Sequence, residues 1–395
     1  MVAMGGGPLK VLLVTPSYDP IVGGAETFVR QLATQLNASG ICTDVMTLNM
    51  IRKWKPFLRG TIERGDFKIF RVAAIANPFS FLPINPIRLL FRINVIPMPG
   101  FARILSNYDL IHFCDEEDLS FPLFSILARK PKIMHSLTPV AFEAIRNNFF
   151  QRRIFKQIAE MYIPCPFQIE SYLKMGIPRS KILDKTSVGV NVETFKPDES
   201  KRLNYLVLFV GRLQKLKGVH ILLKALSYVK TPVWAVIIGP FDQKDPAYSD
   251  ELIKRVELLN SQGKHKVELI GSKNEDELVQ WYQKATFLVA PHLDQICGGL
   301  TTLEALASAT PVLATGSEVI KDRINGLVVP PNDVEKLAIA IDELLECREL
   351  RRKLGFEGRR IIEEQYSWSE IVKDLTNAYE ELLTISVFNN RIDGK

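Results

Sequence analysis

The chain has 395 residues, 47% hydrophobic and 24% charged, which excludes a disordered or fibrous protein and leaves room for about two or three domains. Its formal charge of +6 is uneven: residues 1–200 hold 24 Lys and Arg against 17 Asp and Glu, and the remainder holds 26 against 27. A basic first half predicts an anionic partner there, such as a membrane surface or phosphates. The cysteines, Cys42, Cys114, Cys165, Cys297 and Cys347, are scattered with no C-x-x-C. Neither a disulfide framework nor a zinc site is expected, and a reducing cytosol is the simplest compartment. Residues 1–9 lack the basic start and apolar core of a signal peptide. No apolar run reaches the roughly 18 residues of a membrane-spanning helix.

Lys10–Thr15 is a short apolar run ending at Pro16, the pattern of a buried parallel strand. The polar stretch Ser17–Gly24 follows, with Gly23 and Gly24 adjacent. A helix is predicted over about Ala25–Ser39, with Phe28, Leu32 and Leu36 on one face, and Thr43–Leu48 completes a β-α-β opening. Further strands are predicted at Phe67–Val72, Leu110–Cys114 and Lys132–His135, with a helix over Leu119–Ala128. Residues 51–106 differ in character. Arg52-Lys53-Trp54-Lys55-Pro56-Phe57 mixes cations with aromatics, and Phe79–Leu105 is apolar, broken by proline, and carries Arg88, Arg92 and Arg103. Asn147–Lys156 repeats the theme. Such composition suits a surface lying on anionic lipid, with ordinary core and solvated arginines as the alternative. Nucleic acid is not expected, because no recognisable nucleic-acid module occurs.

Glu193–Asn204 is polar and contains Pro197, which predicts a linker. A second β/α series begins after it. Strands are expected at Tyr205–Val210, Val233–Ile238, Val267–Ile270, Ala285–Ala290, Val312–Ala314 and Gly326–Pro330. Helices are expected at Val219–Tyr228, Ser249–Asn260, Asn274–Lys284, Val334–Glu346, Glu349–Gln365 and Ser367–Leu383. The fold class is therefore α/β: two Rossmann-like doubly wound domains that bind ligands in a cleft beyond the carboxyl ends of their strands.

Four places could carry chemistry. Arg212 and Lys217 flank a short loop after a buried strand, where two cations can neutralise a diphosphate. Gly298 and Gly299 break an extended chain before a helix, an arrangement that offers unpaired amides to an anion, and Glu304 lies about one turn inside that helix. Gly23 and Gly24 form no G-x-G-x-x-G fingerprint, so they make a turn or a close backbone approach to a ligand, with Glu26 placed for the helix dipole. His135 ends a strand and could hydrogen-bond a substrate hydroxyl as a neutral imidazole. His112, Asp115, Glu116, Glu117 and Asp118 cluster after another strand without metal-ligand spacing.

Taken in order over almost the whole chain, these pieces resemble the retaining GT-B glycosyltransferases of family 4. The resemblance is carried by residues 10–36 (KVLLVTPSYDPIVGGAETFVRQLATQL), by Gly189–Pro197 (GVNVETFKP), by Val210–Gly218 (VGRLQKLKG), by Leu303–Ala314 (LEALASATPVLA) and by Asn325–Pro331 (NGLVVPP). It implies an acceptor-binding domain over residues 1–196, a donor-binding domain over 197–366, and a helix over 367–395 that crosses back to the first. It implies a nucleotide-diphosphate sugar as donor substrate, a hexosyl-type transfer, and no cofactor or essential metal. Arg212, Lys217 and His135 would be catalytic. Glu304 would hold the donor ribose, with Gly298, Gly299, Leu300, Gln295, Asp294, Gly24 and Gly271 completing the donor site, and Gly23 and Gly24 would approach the acceptor. One departure matters. The family has a second glutamate before the one at Glu304, and this chain has Ile296, or Gln295 with one extra loop residue, in its place, with Asp294 nearby. That departure allows altered sugar choice, a substitute carboxylate, or a non-catalytic nucleotide-binding homologue. The expected acceptor is lipid-linked or part of a cell-envelope glycan, met peripherally at the cytoplasmic face of the membrane; a soluble acceptor is the alternative.

Overall fold

The computed structural model describes residues 7–21, 23–52, 55–56, 59–76, 94–98, 100–115, 119–125, 130–137, 148–183, 188–293, 299–317 and 319–393. The chain divides into two compact units, Met1–Ser187 with Ile371–Lys395, and Val188–Glu370.

The first unit is built on a seven-stranded sheet. Its strands are β1 (Lys10–Thr15), β2 (Cys42–Leu48), β3 (Thr61–Arg64), β4 (Lys68–Val72), β5 (Leu110–Cys114), β6 (Lys132–His135) and β7 (Met161–Ile163), in the order β7-β6-β5-β1-β2-β4-β3. All pairs are parallel except β3 with β4. Val11 to Val14 are at most 2% exposed, as expected of a parallel strand covered on both faces. Helix α1 (Gly24–Ala38) follows β1 and buries Phe28, Leu32 and Leu36, the predicted stripe. The edge strand β3 was not predicted. Its sequence TIER is exposed at every residue, so it carries no burial pattern, and its cross-strand Glu63–Arg71 ion pair shows only once the hairpin is formed. A short helix, α2 (Phe149–Phe155), is capped by the Asn148 side chain, which accepts from the amides of Phe150 and Gln151. The Leu119–Ala128 helix is seen at Ser120–Phe124. Most of the basic apolar stretch at 79–105 lies outside the described residues.

The second unit has a six-stranded, all-parallel sheet of β8 (Leu206–Val210), β9 (Trp234–Ile238), β10 (Lys266–Leu269), β11 (Phe287–Ala290), β12 (Val312–Ala314) and β13 (Leu327–Val328), in the order β10-β9-β8-β11-β12-β13. The winding reverses between β8 and β11, which opens a crevice beyond the carboxyl ends of those two strands. The covering helices are α3 (Val219–Leu226), α4 (Pro246–Ser261), α5 (Glu275–Lys284), α6 (Leu300–Ala307), α7 (Val334–Glu346) and α8 (Arg348–Gln365). The last helix, α9 (Trp368–Asp393), runs ten residues past its predicted end at Leu383 and buries Tyr379 and Leu382 in the first unit.

Helix α6 is held at its carboxyl end by two arginines. Arg202 donates to Ala285 O and Thr310 Oγ1, both at 2.7 Å, and to Ser308 O at 3.2 Å and Ala309 O at 3.3 Å. Arg359 donates to Phe195 O at 2.7 Å, to Val192 O at 2.9 Å and to Ala307 O. A guanidinium suits this position because its fixed fork serves several carbonyls at once and complements the negative end of the helix dipole. Arg359→Ala strands these carbonyls and is expected to cost about 2–4 kcal/mol, with Arg359→Lys recovering less than half. Urea midpoints of the two variants measure this directly. Loss below 1 kcal/mol, against that expectation, would leave the end of α6 held by Arg202 and packing without Arg359.

Cys42, Cys114 and Cys347 are free thiols, whereas Cys165 is disulfide-bonded. Spacing along the chain led to the expectation of no bridge, but it says nothing about pairs that folding brings together. Among the described residues no helix is long and apolar enough to cross a membrane.

Candidate active site

The carboxyl edge of the second sheet brings together residues far apart in sequence. Arg212 and Lys217 lie in the loop after β8, and His292 lies just after β11, so they flank the crevice where the winding reverses. The two loops are locked to each other. Leu293 N donates to Leu216 O at 3.0 Å, and Gly218, with φ of +71°, lies against the Pro291 carbonyl. A Cβ at Gly218 would stand 1.7 Å from Pro291 O, so only glycine allows this approach. On the neighbouring strand Gly239 does the same against Gly211 O, at 1.9 Å, and its amide donates to Gly271 O at 2.9 Å. Gly271, expected at the donor site, thus holds the end of β9 in place.

Arg212 is exposed and Lys217 half-buried. Neither the guanidinium nor the ammonium has a hydrogen bond or ion pair among the described residues. Burial, and then the neighbouring Arg212 charge, lower the Lys217 ammonium to about 8. His292 is 7% exposed, and burial followed by the Lys217 charge lowers its imidazole to about 3, so the ring is neutral. Its backbone carbonyl accepts from the Thr315 hydroxyl, and its ring nitrogens have no hydrogen-bond partner among the described residues. The sequence reading missed His292; a histidine directly after a strand-ending proline, opposite a two-cation loop, was the available signal.

Glu304 projects from α6, whose N-terminal Leu300 follows Gly299 with no side-chain cap. The Gly299 carbonyl accepts from the Thr302 amide at 2.8 Å, and no side chain among the described residues caps this helix start. Tyr282 Oη, fully buried, donates to Glu304 Oε2 at 2.8 Å and leaves Oε1 for another donor. Burial raises the Glu304 carboxyl to about 7, against the lowering effect of the Tyr282 hydrogen bond, with Glu275 raising it further. Nothing in the pattern of α5 distinguishes Tyr282 from a core aromatic, so its role is not legible before folding. Asp294, Gln295, Ile296 and Gly298 lie outside the described residues. A cavity of about 710 Å³ in the same unit is lined by Lys224, Arg255 and residues 330–335, and by none of the groups at this edge.

In the first unit, His135 ends β6 as expected and is 1% exposed. It stacks on His112 and meets the edge of Phe28. Gly23 precedes the first turn of α1, and the site where a Gly24 Cβ would stand is open space. Glu26 folds back over Gly23 and accepts from Ser17 Oγ at 2.5 Å, so the helix N-terminus carries its own carboxylate. Asp115 is buried with φ of +84°, and residues 116–118 of the acidic cluster lie outside the described residues. No group of three potential metal ligands occurs among the described residues.

Residues 192–361 match the family model described as glycosyl transferases group 1. An uncharacterised glycosyltransferase of Methanocaldococcus jannaschii, MJ1607, is 30% identical over 206 residues, 51% of this chain and 48% of that protein. The O-antigen chain mannosyltransferase C of Escherichia coli is 25% identical over 403 residues, 95% of this chain and 99% of that protein. Among solved structures, the Anabaena protein HepE in complex with UDP and glucose superimposes with a TM-score of 0.71 at 17% identity, covering 94% of this chain and all of that one. That likeness gives the fold, a GT-B arrangement of two Rossmann-like sheets. With the group 1 model over the second unit and glycosyltransferase relatives along its whole length, the chain is a glycosyltransferase of the hexosyl-transferring class.

Proposed function

We propose that the chain moves a sugar from a nucleotide-diphosphate donor to a lipid-linked or cell-envelope glycan acceptor, with retention of anomeric configuration, at the cytoplasmic face of the membrane. One observation carries the donor half: two cations without a partner among the described residues, Arg212 and Lys217, flank the crevice of a parallel sheet beside a neutral imidazole that also has none there. Breaking the bond between the anomeric carbon and the phosphate oxygen places negative charge on the departing diphosphate. Two cations held in advance favour that charge more than they favour the ground state. Glu304 Oε1 is left to take a ribose hydroxyl. The acceptor hydroxyl attacks on the face from which the diphosphate departs and gives its proton to the leaving phosphate oxygen. No metal is required in this reading, because the cations neutralise the leaving group. The cations support a diphosphate leaving group, and a nucleotide on it is in keeping with UDP in the HepE structure.

The acceptor half rests on the first unit. Phe149 and Phe150 are 62% and 52% exposed at the start of α2, with Arg152 and Arg153 behind them, a pairing that suits an anionic lipid surface. It is in keeping with the O-antigen named for the Escherichia coli relative. The second reading, a nucleotide-binding homologue without transfer, is favoured by the Asp294-Gln295-Ile296 stretch that stands where the family has its first glutamate.

A thermal-shift panel of UDP- and GDP-sugars, followed by turnover assays with the binders, tests the donor half. At least one nucleotide sugar is expected to raise the melting temperature and to be turned over. Binding without hydrolysis or transfer establishes the second reading, and a panel with no shift and no turnover removes both. Co-sedimentation with anionic vesicles at low salt is expected, with loss in the Phe149→Ser, Phe150→Ser variant. Equal recovery of that variant would take the lipid contact away from α2.

A further inference from the structure

Two backbone contacts bracket a pair of side chains at the carboxyl edge of the second sheet. Leu293 N donates to Leu216 O at 3.0 Å, and Gly218 lies against the Pro291 carbonyl, where a Cβ would stand 1.7 Å from the oxygen. The loop after β8 and the segment after β11 therefore pass each other in opposite directions, and Lys217 and His292 are the middle residues of the two paired stretches. A third loop pins the same segment. The Thr315 hydroxyl donates to the His292 carbonyl, and the Thr315 amide donates to Ala290 O at 3.3 Å. The backbone that carries the imidazole is thus fixed on both sides, with the Lys217 charge close enough to act on the ring.

The ring itself is uncommitted. His292 is 7% exposed, and neither ring nitrogen has a hydrogen-bond partner among the described residues. His265 Nε2 has none either, but it is sealed from solvent, as the His292 nitrogens are not. A largely buried polar group without a partner is costly, and a ligand that supplies one recovers that cost. Burial, and then the Lys217 charge, keep the ring uncharged. The paired loops therefore offer one fixed positive charge and one imidazole with a single N–H. Its hydrogen can sit on whichever nitrogen faces the ligand, since the protein claims neither. A second cation at this position would repel Lys217, and an uncharged donor does not.

We propose that His292 is a further catalytic residue, donating a ring N–H to the diphosphate whose charge Lys217 neutralises. The assignment rests on the proposed function and lies wholly within the second unit. Oxygens of an ionised diphosphate only accept hydrogen bonds, so the ring meets them as a donor. The bond strengthens as negative charge builds on the leaving group, which makes it worth more during transfer than in the bound ground state.

Protein labelled with nitrogen-15 in histidine has five signals to separate, and the one missing from His292→Asn is that of His292. In the wild type this signal is expected to move to lower field on saturation with inorganic pyrophosphate. His292→Phe keeps a ring and removes the N–H. It is expected to weaken pyrophosphate, and whichever of UDP and GDP binds, by about tenfold, and to lower kcat by about 10- to 100-fold. His292→Asn, whose amide is again a donor, is expected to recover most of both. A wild-type His292 signal unmoved by saturating pyrophosphate overturns the inference. Equal losses in the phenylalanine and asparagine variants do the same, because the imidazole then matters for its shape and not its N–H. Lys217→Ala in the same assay separates the failures. If it loses pyrophosphate while His292→Phe binds and turns over as the wild type does, the donor reading stands and the role of His292 falls. If the wild type binds neither pyrophosphate nor either nucleoside diphosphate, both fall together.

Discussion

Lys217→Ala lowers kcat/KM for the nucleotide sugar by roughly 100- to 1,000-fold while the melting temperature of the free protein stays within a few degrees of the wild type. The expectation comes from where the ammonium stands. It is half-buried, without an ion pair among the described residues, and beside a like charge, so its charged form is disfavoured until an anion arrives. A diphosphate removes that penalty and gains most from it as charge builds on the leaving oxygen. Arg212 is exposed and keeps its hydration, so Arg212→Ala is expected to cost about tenfold, a smaller share. The pH dependence has a definite sign. Lys217 in the free enzyme titrates at about 8, below its ordinary value, so the cation is present below that pH and kcat/KM falls as pH rises through it. In the donor complex the diphosphate holds the proton on, and the corresponding limb of kcat moves to higher pH. Lys217→Arg, always charged, removes the basic limb even where it lowers the rate. Activity retained in Lys217→Ala, or a basic limb that survives in Lys217→Arg, would take the leaving group away from this loop.

The parallel strands were legible because their apolar runs are long enough to be buried on both faces: β1, β5, β8 and β11 lie within the runs KVLLVT, LIHFC, YLVLFV and ATFLVA, the last two strands starting one and two residues later than expected. The order of strands was not, since nothing in a run says which neighbour it pairs with, and it is the order that places Arg212, Lys217 and His292 around one crevice. Of the site, the two cations and Glu304 were visible through the loops and helix start that surround them. Tyr282 was invisible. It reads as one more apolar residue of an amphipathic helix, and the hydroxyl acquires its role only when folding sets it against Glu304. Glu26 shows the opposite case. Its first-turn position announced a carboxylate for the helix dipole, and the structure adds that it lies over Gly23.

Glu304→Gln makes the free protein more stable at pH 8 and a poorer binder of donor, and the pairing of those two effects is the sharpest test of the second unit's site. Burial raises the Glu304 carboxyl from 4.5 to about 7. A folded-state value above the unfolded one means that the folded protein binds the extra proton between those limits. The stability this contributes is complete below about pH 4.5 and is lost as pH rises through about 7. The wild type therefore carries an ionised, largely buried carboxylate at pH 8 that the glutamine variant lacks. The variant is expected to be more stable there by about 1–3 kcal/mol, with the difference shrinking towards zero near pH 5. Tyr282 still donates to the amide oxygen, so the geometry of α6 survives. The donor reverses the balance, because a ribose hydroxyl donates to a carboxylate more strongly than to an amide oxygen. Donor affinity should fall roughly 10- to 100-fold, and the weakening of donor binding below about pH 7 should disappear with the carboxyl. Chemical denaturation at pH 5 and pH 8, with nucleotide-sugar titrations of both proteins, reads every part of this. A variant no more stable than the wild type at pH 8 would mean that Glu304 is solvated in the free protein. A variant that is more stable but binds donor as tightly would mean that the carboxylate is buried for packing, and that the ribose is held elsewhere.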